Sequence, residues 1–286
     1  MPLTIARSMV SGFRLWPMMT GLCQLVLMRG GHNAAMTGRR TFLQTGLAAA
    51  LLPAARAADA APLPTNFPAK LQEALAKSLD DPKVAAKLAP VLLDVGFTWD
   101  APAQPAAGFQ TIVAYAFGNR PATAGSTTPL PGPMNETLAK AVIEAQRKSG
   151  ASAIYAQWEI ASFLTEQKGI GKVVAINPVV AADGSVKYLS TDGVAEAIVT
   201  MVGGDAKKLG RVCVIGHHDH SKRCVETSRA RGMDAWVMEG LPLPVNYDAE
   251  SDQAWTRDRE IYLIHDMFAQ LGQIRATMIA PPKARS

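Results

Sequence analysis

The sequence predicts an α/β fold: a doubly wound, mainly parallel, Rossmann-like sheet in three layers, with an N-terminal helical appendage. Two observations predict it. From about residue 108, short β-branched or aromatic runs alternate with amphipathic segments, the pattern of parallel strands joined by crossover helices. The alternation contains no internal repeat, which leaves a doubly wound sheet.

The chain divides into a leader over residues 1–57, a linker and helical appendage over 58–107, and the α/β domain over 108–286. The leader holds six arginines, no lysine and no acid. Without them, 23 of the 29 Lys and Arg face all 24 Asp and Glu, so the remainder carries about −1. The basic balance therefore belongs to the leader and is no nucleic-acid footprint. Thr37 to Ala57 combines Arg39-Arg40, an apolar run from Gly46 to Leu52, and Ala55-Arg56-Ala57 as a small-x-small cleavage site. With Phe42 and Leu43 in place, it resembles a twin-arginine export signal. The apolar run is far short of the ~20 residues that span a bilayer, so no stable transmembrane segment is expected after cleavage. Residues 1–35 read as an upstream extension before Met36 or as a long n-region.

Export by that machinery implies a periplasmic, oxidising setting. Cys213 and Cys224 then either pair or remain two separately buried thiols; pairing requires Cα atoms within ~7 Å.

In the mature chain, Ala, Leu and Lys recur at helical spacing from Pro68 to about Val95, and Asp80-Asp81 breaks the run into two helices. Asp100 to Gly108 connects onward. Strands are expected at Gln110–Phe117, Ala153–Gln157, Lys172–Ile176, Arg211–Ile215 and Ala235–Met238. Helices are expected at Glu136–Lys148, Ile160–Gln167, Gly193–Val202, Ser221–Arg231 and Gln253–Leu271. Asn135 and Asp192 sit where N-caps belong, and Gly150 and Gly232 follow basic last turns. Asp183-Gly184 suits a hairpin turn.

Several chemistries lose their support. Gly169 to Lys172, "GIGK", precedes a strand, so it does not offer a helix N-terminus to phosphate. Gly-x-Ser-x-Gly, Cys-x-x-Cys and His-Glu-x-x-His are absent. No cofactor is expected.

Ligands of open parallel sheets bind beyond the carboxyl ends of the strands. The residues just after each expected strand are polar: Asn119-Arg120, Trp158-Glu159, Asn177, and Gly216 to His220. The long loop from Gly118 to Asn135 is rich in Gly, Pro and hydroxyls, as lids are. Three of the five histidines, His217, His218 and His220, lie within four positions. Asp219 or Ser221 can cap the helix that follows. His220 and Arg223 are three apart at its start, so both can face one crevice. These residues predict His220 as an acid/base with His218 beside it, Glu159 as its partner, and Asn119, Arg120, Arg223 and Asn177 as holders of a small anionic ligand. A non-catalytic binding protein using the same crevice is the alternative. A metal-binding envelope protein is a further alternative; metal ligation by the three histidines lacks a carboxylate at diagnostic spacing, so no metal site is assigned.

"VCVIGHHDHSKRC" followed by "RARGMDAWV" resembles the strand, His-x-x-Arg helix and next strand of the YdcF/SanA/ElyC-like family of envelope-associated proteins. The final helix, with Arg257 and Glu260, is similar too. The resemblance follows the order of elements from Gln110 to Leu271, and His220 and Arg223 carry its distinctive motif. Gly118-Asn119 stands where that family shows a glycine pair, and Gln157-Trp158-Glu159 where it shows Ser-Gly-Gly. The resemblance implies an α/β domain in the envelope, acting on an envelope precursor of the cell wall or a lipid carrier.

Overall fold

The computed structural model describes residues 63–280 except 127, 166, 168 and 181–185. The Arg39-Arg40 pair, the expected cleavage site and Cys23 lie outside them. Residues 61–286 cluster as one compact unit.

The appendage is two helices, α1 (Phe67–Leu79) and α2 (Pro82–Phe97). The break is local chemistry: Asp80 takes a left-handed backbone, and the Asp81 carboxylate accepts from the amides of Lys83 and Val84. Lys222, although buried, donates to the carbonyls of Asp94 and Thr98 and pairs with the Asp94 carboxylate at 3.0 Å. A cation at the C-terminal carbonyls of α2 thus ties the appendage to the domain.

The domain is a six-stranded sheet in the order β1-β8-β7-β2-β3-β4. Its strands are β1 (Ala103–Gln104), β2 (Phe109–Ala114), β3 (Ala153–Gln157), β4 (Lys172–Ile176), β7 (Arg211–Ile215) and β8 (Asp234–Met238). Every pairing in it is parallel. Residues alternate between the two faces. Ile112 and Ala114 of β2 pack with α3 (Pro133–Ser149) and α4 (Trp158–Leu164), while Val113 and Tyr115 pack with α5 (Thr191–Met201) and α6 (His218–Ala230). This is the expected three-layer α/β architecture. The strands β5 (Val179–Val180) and β6 (Val186–Lys187) pair antiparallel as a separate ribbon, and the Asp183-Gly184 turn lies outside the described residues. The last helix is α7 (Arg259–Ile279). Among the described residues no helix is long and apolar enough to cross a membrane.

Four local expectations change. Asn135 lies inside α3 instead of capping it; its buried amide accepts from Phe117 N–H and donates to the carbonyls of Gly118 and Pro131, clamping the end of β2. Ser190, not Asp192, caps α5, and His217, not Asp219 or Ser221, caps α6. Trp255 belongs to a 3₁₀ turn (Ala254–Thr256), and α7 begins only after the Asp258 cap. Cys213 and Cys224 are free, buried thiols; Cys213 packs in the α3/α4 layer and Cys224 in the α5/α6 layer, so the sheet separates them.

Candidate functional site

Strand order fixes where a ligand can sit. From β2 the chain winds outward through β3 and β4, then crosses back to β7 on the other side of β2. The crevice between the carboxyl ends of β2 and β7 is therefore the switch point, where α/β sheets bind ligands. A cleft of about 570 Å³ opens there, lined among others by Phe117, Asn119, Tyr188, His220, Arg223 and His265. A shallower hollow of about 490 Å³ lies at the amino ends of the strands, beside Gln110, Arg211 and Asp234. The switch-point rule favours the former.

The histidine cluster splits by role. His217 is fully buried and stacks on Phe117, centroids 3.9 Å apart and planes 12° from parallel. Its Nδ1 accepts from the Asp219 amide and its Nε2 lies 3.0 Å from the Asn246 carbonyl, which fixes the Nε2–H tautomer. Burial pushes its pKa down to about 4, partly offset by that carbonyl. It is a structural cap. His218 does not line the cleft: its Nδ1 meets Asp219 Oδ1 at 3.0 Å, and that hydrogen bond raises its pKa. Asp219 also accepts from Tyr247 and, through both oxygens, from Arg259. Burial would raise the Asp219 pKa, but these donors hold it well below the usual carboxylate range.

His220 does reach the cleft. It opens the buried face of α6, and Arg223 follows one turn later on the same side. Both converge on Asp266, a buried carboxylate of α7. Arg223 Nε donates to Asp266 Oδ1 at 2.6 Å, and its terminal nitrogens donate to Thr191 Oγ1 and the Tyr262 hydroxyl. His220 Nδ1 lies 3.5 Å from the same carboxylate oxygen, at ion-pair distance but too long to close a hydrogen bond. Tyr262 donates to Oδ1 and Gln270 to Oδ2. Burial alone would raise the Asp266 pKa; His220 and Arg223 hold it well below the usual range. The His220 pKa falls to about 4, first through burial, then through the Arg223 charge, with Asp266 opposing. The free imidazole is thus neutral at pH 7.

The remaining predicted residues divide. Asn119 lines the cleft, with its amide nitrogen 3.5 Å from the Tyr188 hydroxyl. Gly118 beside it has φ +70°, and a Cβ there would stand 2.6 Å from Ser251 Oγ and Thr256 Oγ1. That close approach brings the 251–256 segment, with Asp252 and Trp255, to the rim. Arg120 is not at the cleft. It forks onto Asp248 through two nitrogens, and its backbone bridges Leu130, so it pins the base of the long loop. Asn177 is exposed on the β4 side and does not line the cleft.

Glu159 stands on the same sheet rim as His220, at the end of β3, with β2 between β3 and β7. It points into the protein, 1% exposed, with Oε2 lacking a partner. Burial pushes its pKa up to about 7, slightly offset by its own backbone amide and the nearby Trp158 indole, whose N–H closes no hydrogen bond. The carboxylate at the imidazole is Asp266, and His265, stacked on Trp255 at 5.1 Å, is a second imidazole of the cleft. Sequence reasoning missed both. Among the described residues, no group of three or more His, Cys, Asp or Glu side chains converges as a metal site.

No family model matches the chain, and neither the curated proteins nor the solved structures contain a significant match.

Proposed function

We propose that the chain is an exported periplasmic enzyme that binds a small phosphate- or carboxylate-bearing envelope metabolite and acts on it by acid–base chemistry at His220. One observation carries this reading: an imidazole and a guanidinium share the Asp266 carboxylate in the switch-point crevice. Arg223 spends one N–H on each of three protein partners, and a guanidinium carries five, so two remain for an anion. Asn119 supplies an amide to the same cleft. Asp266 takes the partner role that the sequence suggested for Glu159, because it is the carboxylate in reach of the imidazole.

Charge coupling gives the site a mechanism. The Arg223 charge disfavours the imidazolium. An anion on Arg223 cancels that repulsion and raises the basicity of His220 when substrate is present, which brings it nearer the useful range for proton transfer. The resemblance through His220 and Arg223 supports the envelope setting, and the leader supports export.

A second reading, a non-catalytic anion receptor, is favoured by the weak basicity of His220 in the free protein. Two variants separate them. His220→Gln is expected to keep phosphate- or citrate-induced thermal stabilisation and to lose turnover about 10²-fold or more on a panel of phosphoesters and carboxylic esters. Arg223→Lys, which keeps the charge but not the fork, is expected to lose the stabilisation. Wild-type protein that no anion stabilises sinks both readings; stabilisation without turnover leaves the receptor.

Export has its own check. The protein recovered outside the cytoplasm is expected to begin at Ala58 by N-terminal mass, and replacing Arg39 and Arg40 together by lysine is expected to hold the chain inside. A secreted form that retains Arg39-Arg40 contradicts processing.

A further inference from the structure

Helix α7 uses one side for the cleft and the core, burying Tyr262, Asp266 and Gln270. Its other side is apolar and, among the described residues, uncovered. Ile261 is 51% exposed, Ile264 53%, Phe268 73% and Met278 78%, with Leu271 partly exposed between them. These positions step by three, four, three and seven, the a and d places of a heptad, interrupted only by Arg275. The seam runs 18 residues, about 27 Å of helix. A regular stripe of this kind on a surface helix is unlike scattered exposed side chains, which need no partner.

We infer that the occupant of this stripe is a second copy of the same chain, docked by an antiparallel pairing of the two α7 helices about a two-fold axis. The heptad register then opposes Ile261 to Met278, Phe268 to Leu271 and Ile264 to Arg275, so each apolar position meets another stripe position. The charges select the direction. Glu260 and Arg275 are both exposed and neither forms an ion pair among the described residues. In the antiparallel pair the Arg275 side chain can turn from Ile264 to Glu260 of the other copy, one helical turn along. A parallel pair would set Arg275 against Arg275 inside the seam. Gly272 stands open, with nothing near its Cβ position, and admits close approach of the second backbone.

Sedimentation equilibrium of the full chain tests this. A reversible dimer is expected. Phe268→Glu, at a side chain too exposed to matter for folding, is expected to weaken it at least 100-fold. Arg275→Glu and Glu260→Arg are each expected to weaken it about 10-fold, and the double exchange to restore it to within a few-fold. A wild-type monomer across the dilution series overturns the proposal, whether the stripe is then covered by another segment, another protein or a lipid surface. A dimer indifferent to Phe268→Glu overturns the location, and failure of the double exchange to restore overturns the antiparallel register.

Discussion

Asp266→Asn is expected to lower stability by about 3 kcal/mol, because it removes the one carboxylate paired with the buried Arg223 among the described residues while keeping its shape. The exchange isolates charge. The substituted amide can still accept from Arg223 Nε, and Gln270, whose Oε1 has no partner, can turn to receive the new N–H. What is lost is the counter-charge of an arginine only 8% exposed. For a domain of this size that loss corresponds to a fall of about 6–12 °C in Tm. Adding Arg223→Met should recover part of it, since an apolar replacement of the guanidinium leaves no isolated charge. Urea unfolding of the four proteins checks the cycle; equal midpoints for wild type and Asp266→Asn would remove Asp266 from the centre of the site.

The second large effect is on the pH dependence of folding. His217 and His220 titrate near 4 when folded, below the ordinary 6.5. Between those values the unfolded chain takes up protons that the folded chain refuses, so their contribution is full above pH 6.5 and is lost as pH falls toward 4. Each is worth up to about 3 kcal/mol. Glu159 works the other way. Its folded value of about 7 lies above the ordinary 4.5, so its contribution is full below pH 4.5 and is lost as pH rises through 7. Half-buried His218 and Glu226 share its sign more weakly, and His265 shares that of the other histidines. Asp219 and Asp266, held low, lose their contributions only below the ordinary carboxylate range. Stability should therefore rise from pH 4 to about 6.5, where the two histidines outweigh Glu159, and stay nearly level from about pH 7 upward. Glu159→Gln removes this opposing loss, so it is expected to steepen the rise between pH 4.5 and 7 and to gain about 1–3 kcal/mol at pH 8. Denaturant midpoints from pH 4 to 8.5 measure this; a gain confined to acid pH would show that Glu159 is ionised in the folded protein.

The fold was legible because buried parallel strands announce themselves as β-branched runs, and all five expected core strands occur, the first ending at Ala114 instead of Phe117. The edge strand was not. Ala103 and Gln104 lie in a Pro- and Ala-rich connector with no strand composition, and only pairing with β8 extends them. The site was half legible. His220, Arg223 and Asn119 follow strand ends, where the switch-point rule looks. Asp266 and His265 sit in mid-helix, far from any strand end in sequence. One signal was present: Tyr262, Asp266 and Gln270 recur every four residues, a buried polar stripe on a helix otherwise read as amphipathic. Arg120, His218 and Asn177 were misplaced because adjacency to a strand end says nothing about side-chain direction, and Asp248 and Asp219 capture the first two.

In the proposed function, an anion held by Arg223 controls the proton affinity of His220. Histidine-selective NMR of the imidazole nitrogens, followed from pH 4 to 8 with and without saturating inorganic phosphate, reads that coupling directly. The His220 ring is expected to stay neutral down to about pH 5 in the free protein and to titrate at higher pH once phosphate is bound. A ring that titrates near 6.5 in both conditions, or that ignores phosphate, would contradict it.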